Sequence, residues 1–275
     1  MSTHSRSQFA HRFAVRRRRA VVQASGVEVQ HWEPEPFMDH LRDEVASNVP
    51  EEEPAVAIGS INLDHLHHFG EGRIELENEP KESGVDWIML ADGAPIARHA
   101  SRVSRLEWPR LTGADLLPDI LAMAQDEGLT VGFLGGTPES QEALRPVIAE
   151  RYPTLPQTRF WAPEREVVDS AEGSRQLAAE IAAAGVDILN VALGKPRQEL
   201  WIQRYGDETG ARLLLAFGAS ADFLAGTVSR APEWVQRNGL EWAYRLGQEP
   251  KRLARRYLIQ APPAWLKWRK ARRVR

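Results

Sequence analysis

A chain of 275 residues, 43% hydrophobic and with a formal net charge of -3, is long enough to bury a sizeable core, which excludes a disordered class. It has no cysteine, so disulfide frameworks and thiolate metal sites are excluded and the chemistry must come from oxygen and nitrogen groups. The sequence has no apolar run of signal-peptide length near its start and nothing approaching the roughly 20 apolar residues of a spanning helix, so a soluble chain is expected.

The charge is unevenly spread. Residues 1–20 carry six basic and no acidic side chains and residues 251–275 carry ten basic and no acidic ones, which leaves 19 basic against 38 acidic in residues 21–250. Basic ends on an acidic body suit lipid headgroups or phosphates, while the acidic body disfavours nucleic acid.

Residues 1–24 lack helical or strand periodicity and read as a flexible basic leader, with the ordered body beginning near Ser25. Val27-Glu28-Val29 resembles a short strand and Pro36 to Ser47 a helix. After the acidic loop Glu51-Glu52-Glu53-Pro54, the run Ala55-Val56-Ala57-Ile58 predicts a buried strand closed by Gly59-Ser60-Ile61-Asn62. Residues 70–84 read as a surface excursion before a strand over Val85 to Leu90, which ends in Ala91-Asp92-Gly93. Helix and strand then alternate: a helix from Ala114 to Glu127, a strand from Thr130 to Leu134, and a helix opened by Gly135-Gly136-Thr137 and reaching Arg151. A strand over 157–161, a helix from Ser170 to Ala184, a strand from Val186 to Leu193, a helix over 197–205 and a strand from Arg212 to Phe217 follow. This alternation predicts an α/β fold with a mostly parallel sheet over residues 25–232, followed by a basic, helical C-terminal appendage over 233–275.

In open parallel sheets, ligands bind beyond the C-terminal strand ends, often where free backbone N–H groups meet a phosphate. Four polar or glycine-rich turns follow predicted strands: Gly59-Ser60-Ile61-Asn62, Ala91-Asp92-Gly93, Gly135-Gly136-Thr137 and Gly194-Lys195-Pro196-Arg197-Gln198. Fold logic gathers them on one edge of the sheet. Gly135-Gly136-Thr137 completes neither the dinucleotide fingerprint nor the phosphate loop of nucleotide triphosphatases. The cluster Asp64, His65, His67 and His68 would point around different faces of a helix, so no metal site is expected there.

Order and spelling make these turns specific. Leu90-Ala91-Asp92-Gly93, Pro109-Arg110-Leu111-Thr112-Gly113-Ala114-Asp115-Leu116 and Phe133-Leu134-Gly135-Gly136 resemble the first half of the WecG/TagA/CpsF glycosyltransferase family. Ala192-Leu193-Gly194-Lys195-Pro196-Arg197-Gln198-Glu199, Ala221-Asp222-Phe223-Leu224-Ala225-Gly226, Arg230-Ala231-Pro232, Gly239-Leu240-Glu241-Trp242-Ala243-Tyr244-Arg245 and Gln248-Glu249-Pro250 are similar to its second half. The resemblance covers roughly residues 25 to 260. It implies a Rossmann-like α/β sandwich and an inverting transfer of an N-acetylhexosamine-type sugar, typically N-acetylmannosamine, from a UDP-sugar donor. The implied acceptor is an undecaprenyl-diphosphate-linked sugar in teichoic acid, enterobacterial common antigen or exopolysaccharide synthesis. Also implied are a cytoplasmic enzyme peripheral on the inner face of the membrane, interconversion of monomer and homo-oligomer, and no cofactor or metal. A Rossmann-type enzyme of another class, such as an oxidoreductase, and a basic-tailed nucleic-acid-binding protein stand as alternatives; competition by UDP would separate them from a UDP-sugar enzyme.

Residue by residue, Asp92 aligns with the family's proposed catalytic aspartate, the base that takes the acceptor hydroxyl proton; its plain alternative is a turn-forming Asp-Gly. Ser60 and Asn62 align with a family threonine and asparagine, and serine here departs from threonine while keeping the hydroxyl. Arg110, Gly135 and Gly136 fall within matched motifs and are expected at the substrate. Asp115, at a helix start, is placed either to cap it or to meet substrate. Lys195, Arg197 and Gln198 are expected to hold uridine, ribose or diphosphate, and Asp222 to accept from ribose or sugar hydroxyls or to close a local turn. Arg245, Arg252 and Arg255 match family arginines thought to close over the diphosphate, with Arg256 as a neighbour; on one continuous helix the first three form a stripe. Beyond them, Tyr257, Leu258, Ile259, Trp265, Leu266 and Trp268 alternate with cations and are expected to meet an anionic membrane, although Pro262-Pro263 should interrupt the helix. Removal of residues 251–275 is expected to leave the α/β body folded.

Overall fold

The computed structural model describes residues 19–46, 54–72 and 84–274. The acidic loop over 51–53, most of the excursion over 70–84 and the leader as far as residue 18 lie outside the described residues. Ordered chain starts before Ser25, because β1 (Val21–Ala24) pairs antiparallel with β2 (Val27–Gln30). Ser25 and Gly26 turn the hairpin with φ of 53° and 83°, the pair of positive values that a two-residue turn of matching twist requires. The leader reading missed this strand because its four residues follow directly on an arginine run and carry too short a pattern to register.

Six parallel strands form the main sheet: β3 (Val56–Ile61), β4 (Asp86–Ala91), β5 (Val131–Gly135), β6 (Arg159–Trp161), β7 (Ile188–Ala192) and β8 (Leu213–Ala216), in the order β4-β3-β8-β7-β5-β6. All but the edge strand β6, whose three residues are half-buried, are buried on both faces, which is why the sequence shows short apolar runs instead of alternating ones. Alternation persists in what the side chains touch. Val56 and Ile58 of β3 enter one apolar layer and Ala57 and Ile61 the other; on β4, Ile88 and Leu90 oppose Trp87 and Met89 in the same way.

Helices α1 (Pro34–Val45), α2 (Leu63–Phe69), α3 (Ala94–Ser104), α4 (Gly113–Glu127), α5 (Pro138–Arg151), α6 (Arg165–Asp169), α7 (Ala171–Ala183) and α8 (Arg197–Tyr205) connect the strands. Phe37 and Leu41 of α1, Leu117 and Ile120 of α4 and Leu144 and Ile148 of α5 cover one face of the sheet. Ile96 of α3, Leu177 and Ile181 of α7, Trp201 of α8 and the β1–β2 hairpin cover the other. A single predicted helix over 170–184 is in fact preceded by the separate α6, and the Ser170 hydroxyl caps α7 by accepting from Gly173 N at 2.9 Å.

The C-terminal region is helical: α9 (Ser220–Ala225), α10 (Glu233–Arg237), α11 (Glu241–Gln248), α12 (Pro250–Ala254), a π turn over Arg255–Gln260 and α13 (Ala261–Trp268). Pro262-Pro263 does not break the path. The two prolines occupy the first turn of α13, where the chain tolerates residues lacking an N–H, and the widened π turn absorbs the mismatch ahead of them. This region is also core. Trp268 is fully buried and donates from Nε1 to the Ile96 carbonyl at 3.3 Å, while Ala264 and Ala271 join the same apolar layer. The final strand β9 (Arg272–Arg273) pairs antiparallel with β1, so the two ends of the described chain close one small sheet. Among the described residues, no helix is long and apolar enough to cross a membrane.

These contacts overturn the expectation that the body folds without residues 251–275. Emptying the Trp268 site should cost about 3–5 kcal/mol, as for other large buried aromatics. Urea denaturation should show Trp268→Ala far less stable than wild type, whereas Leu266→Ala, at a site 59% exposed, should stay within about 0.5 kcal/mol. Equal midpoints for the two variants would contradict this packing.

Candidate active site

A cavity of about 950 Å³ opens beyond the C-terminal ends of four neighbouring strands, β4, β3, β8 and β7, and is lined there by Asp92, Ser60, Asn62, Phe217, Gly194 and Lys195. Its size lies at the upper end of ordinary ligand sites, roughly 300–1,000 Å³. The C-terminal helices form the facing wall with Trp242, Arg245, Arg252, Arg256 and Trp265, and α3 adds Arg98, His99 and Arg102. The four segments singled out in the sequence do lie at the ends of parallel strands on one edge, although Gly59-Ser60-Ile61 proves to be the last half of β3 and not a turn. Three reach this cavity; Gly135 and Gly136 line a separate small pocket of about 10 Å³ together with Asp222 and Ser140.

At the floor, parallel pairing of Ser60 with Leu90 and of Ile61 with Ala91 brings the residues just after the two strands side by side. The Ser60 hydroxyl and the Asn62 amide both donate to Asp92 Oδ2, at 3.0 and 3.1 Å. Among the described residues nothing donates to Oδ1. Asn62 is fixed in turn, because its Oδ1 caps α2 by accepting from His65 N at 3.1 Å. Gly93 then turns with φ of 102°, a value side chains other than glycine rarely adopt, and starts α3 at Ala94 directly behind the carboxylate.

Lys195 lines the cavity, yet its ammonium is already engaged. It donates to the Ser60 carbonyl and to Glu199 Oε1, both at 2.7 Å, and lies 3.4 Å from His65 Nδ1. Gln198 is buried; its Nε2 donates to the Ala216 carbonyl at 2.8 Å and to Glu199 Oε1 at 3.3 Å. These contacts tie the end of β7 to the ends of β3 and β8. Burial opposes the charge on Glu199, but the Lys195 ammonium and the His65 ring outweigh it and hold the carboxylate at about 2. Burial, then the neighbouring Lys195 charge, pushes the His65 imidazole down to about 4, so it is neutral near pH 7.

The other expected residues divide. Arg110 lines the cavity, with its Nη1 donating to Glu241 Oε2 at 2.9 Å and its Nη2 to Gln236 Oε1 at 3.4 Å. Thr112, not Asp115, caps α4: its Oγ1 accepts from Asp115 N at 3.2 Å and donates to Asp115 Oδ2 at 2.7 Å, while Arg230 donates to Oδ1 at 2.5 Å. Asp115 is thus a tether outside the cavity lining. Arg197 also lies outside it, 3.3 Å from Asp169. Burial raises the Asp222 carboxyl pKa against the pull of a Ser140 hydrogen bond and the Arg252 and Arg245 charges.

On the facing wall, Arg245 sits 5.3 Å over the Phe223 ring and Arg252 makes two hydrogen bonds to Glu249, at 2.5 and 2.6 Å. Arg255 does not line the cavity; Arg256 does, 3.5 Å from Asp64. The stripe assumed one continuous helix, but the path breaks at Glu249 (φ -128°) between α11 and α12, and beyond it Arg256, at i,i+4 from Arg252, takes the inward place. Asp64 also lies 3.7 Å from His68, whereas His65 turns into the buried network with Glu199. The sequence reading overlooked Arg98, His99 and Arg102, although an arginine pair at helical i,i+4 spacing directly after Asp92-Gly93 was a readable signal.

A parallel sheet with a polar cavity at its carboxyl edge, a fixed carboxylate on the floor and arginines on the facing wall defines an α/β protein whose cavity stands where open parallel sheets commonly bind their ligands. The profile described as the Glycosyl transferase WecG/TagA/CpsF family matches residues 22–275, nearly the whole chain, and the chain belongs to that family. It is therefore a glycosyltransferase of cell-surface polysaccharide synthesis, and the oxidoreductase and nucleic-acid-binding alternatives fall away.

The buried network has a pH signature. The unfolded chain protonates its histidine near the ordinary 6.5, but folded His65 resists until about 4, so acidification favours unfolding across that interval and stability falls with it. Glu199, depressed from 4.5 to about 2, contributes stability that is present above 4.5 and lost as pH falls toward 2. Urea midpoints between pH 7 and pH 4 should therefore decline more steeply for wild type than for His65→Gln; parallel declines would contradict the assignment.

Proposed function

We propose that the protein is an inverting glycosyltransferase that moves an N-acetylhexosamine-type sugar, typically N-acetylmannosamine, from a UDP-sugar to an undecaprenyl-diphosphate-linked sugar. The observation that carries this reading is the Asp92 carboxylate at the cavity floor, with Oδ2 held by Ser60 and Asn62 and Oδ1 without a donor among the described residues. Asp92 takes the acceptor hydroxyl proton on Oδ1 as that oxygen attacks the anomeric carbon from the face opposite UDP. One base suffices, because no water has to be activated. Serine in place of the family threonine supplies the same hydroxyl donor and leaves one methyl less beside the sugar.

Arg245, Arg252 and Arg256 stand where a departing diphosphate gathers charge, and guanidinium forks match phosphate oxygens. In this reading they do the work that Mg²⁺ does elsewhere, and the transfer needs no metal or cofactor. Gly135, Gly136 and Asp222, in the small pocket next door, lie on the side assigned to uridine and ribose.

The same reading puts the C-terminal region, residues 233–275, against the inner face of the cell membrane. Trp265 and Trp268 take no part there, since both pack inward; the exposed large apolar residues are Trp234, Leu240, Trp242, Leu258, Ile259, Leu266 and Val274. Cations beside them, such as Arg255 and Lys270, would add about 1 kcal/mol each at an anionic surface.

Asp92→Asn keeps the shape and removes the base, so kcat should fall by about 100- to 10,000-fold while UDP affinity changes by no more than a few fold. Near-normal turnover would sink the base assignment. Activity should survive EDTA; strict dependence on added Mg²⁺ would overturn the arginine role.

A further inference from the structure

Of the six arginines that line the cavity, three already have an acid and Arg245 stacks on Phe223. Arg110 pairs with Glu241, Arg252 with Glu249 and Arg256 with Asp64. Arg98 and Arg102 differ. They stand four residues apart on α3, on one face, both line the cavity, and neither has a carboxylate partner among the described residues. Arg98 makes one neutral hydrogen bond, from Nη2 to the Arg237 carbonyl at 3.4 Å. Two like charges at this spacing repel, an arrangement that a bound anion relieves. Their field is also felt locally: burial first, and the Arg102 charge second, lower the His99 pKa.

We propose that Arg98 and Arg102 form the subsite for the diphosphate of the lipid-linked acceptor, separate from the arginines that face the donor; this rests on the transfer reading above. Two placements favour the acceptor. First, α3 leaves the end of β4, the edge strand, so its arginines lie one and two turns along the helix from Asp92, about 5.4 Å per turn. Arg245 stacks on Phe223 of α9, which follows β8 further into the sheet. A transfer in which donor and acceptor approach from opposite sides needs two phosphate sites, and the two groups of arginines stand on different elements, α3 on one hand and the path from α11 to the π turn on the other.

Second, α3 packs against α13. His99 contacts the rings of Trp265 and Trp268, at 5.9 and 6.2 Å between centroids. On the outer side of this region Leu266 is 59% exposed, and Leu258 and Ile259 of the adjoining π turn are 59% and 68% exposed. α13 thus turns Trp265 toward α3 and Leu266 outward, so a diphosphate on α3 and a polyprenyl chain on the exposed residues would meet the same helix, whereas a nucleoside diphosphate has no use for such a surface. Planar guanidinium pairs are suited to bridging the two phosphates of such a group.

The test uses the full chain in neutral detergent, a UDP-sugar donor and a short-chain prenyl-diphosphate-linked sugar as acceptor. Arg98→Gln and Arg102→Gln should each raise the acceptor KM by about tenfold and the double variant by about 100-fold, with the donor KM and UDP affinity within about twofold of wild type. Arg98→Lys should recover part of the loss. An unchanged acceptor KM, or an equal rise in the donor KM, would overturn the subsite. So would variants that lose binding to phosphatidylglycerol-containing vesicles while keeping wild-type kinetics in detergent, because the arginines would then meet lipid headgroups. Wild-type protein that neither binds UDP nor transfers sugar would bring down the functional reading and the subsite with it; active wild type with an indifferent double variant would bring down the subsite alone.

Discussion

Parallel pairing of β3 with β4 is the constraint on which the site depends. A parallel ladder fixes which residues leave the sheet together, and here the chain emerges from both strands with polar side chains: Ser60 and Asn62 from one, Asp92 from the other. The carboxylate is therefore oriented by groups whose own positions are set by backbone hydrogen bonds and by the cap of α2, not by a flexible loop. Orientation of this kind lets a single acid act on one defined proton. Lys195, Gln198 and Glu199 extend the same scheme sideways, stitching the ends of β7 and β8 to that of β3 from within the protein. A buried ion pair of this type is costly to break, because either partner left alone is an uncompensated charge.

The wall opposite the carboxylate is made by the last third of the cavity-forming chain, and that wall is inseparable from the core. Trp268 beneath α3 and the pairing of β9 with β1 anchor a helical path that carries Arg245, Arg252 and Arg256 over the sheet edge. Closure and folding are thus coupled in one layer of packing. The exposed apolar residues on the outside of this wall and the arginines on its inside belong to the same helices, so whatever the outer side meets bears directly on the geometry within.

Much of the sheet was legible in the sequence. Fully buried parallel strands must be short, apolar and bounded by turn formers, and the runs around Val56–Ile61, Val131–Gly135 and Ile188–Ala192 satisfy all three conditions. Asp92, Ser60 and Asn62 were legible because motif order placed them at strand ends. What escaped depended on distant contacts. On β1, two of the four residues also pair with residues near the opposite end of the chain. Trp268 looks interfacial by composition, and only packing against α3 shows which way it points. Both Arg255 and Arg256 share a helical face with Arg252, at i,i+3 and i,i+4, and only the packing of this segment selects Arg256 for the cavity. That Lys195, besides lining the cavity, pairs with a buried Glu199 was not legible either, because i,i+4 spacing alone does not show that the partner is buried.

The central claim is that this cavity moves a sugar from a nucleotide to a lipid-linked acceptor. Mass spectrometry of that acceptor, after incubation of the pure full chain with a panel of UDP-sugars, tests it most directly. The account predicts acceptor heavier by one N-acetylhexosamine residue, with one UDP released for each sugar gained. Release of free sugar with the acceptor mass unchanged, or no consumption of any UDP-sugar, would contradict it.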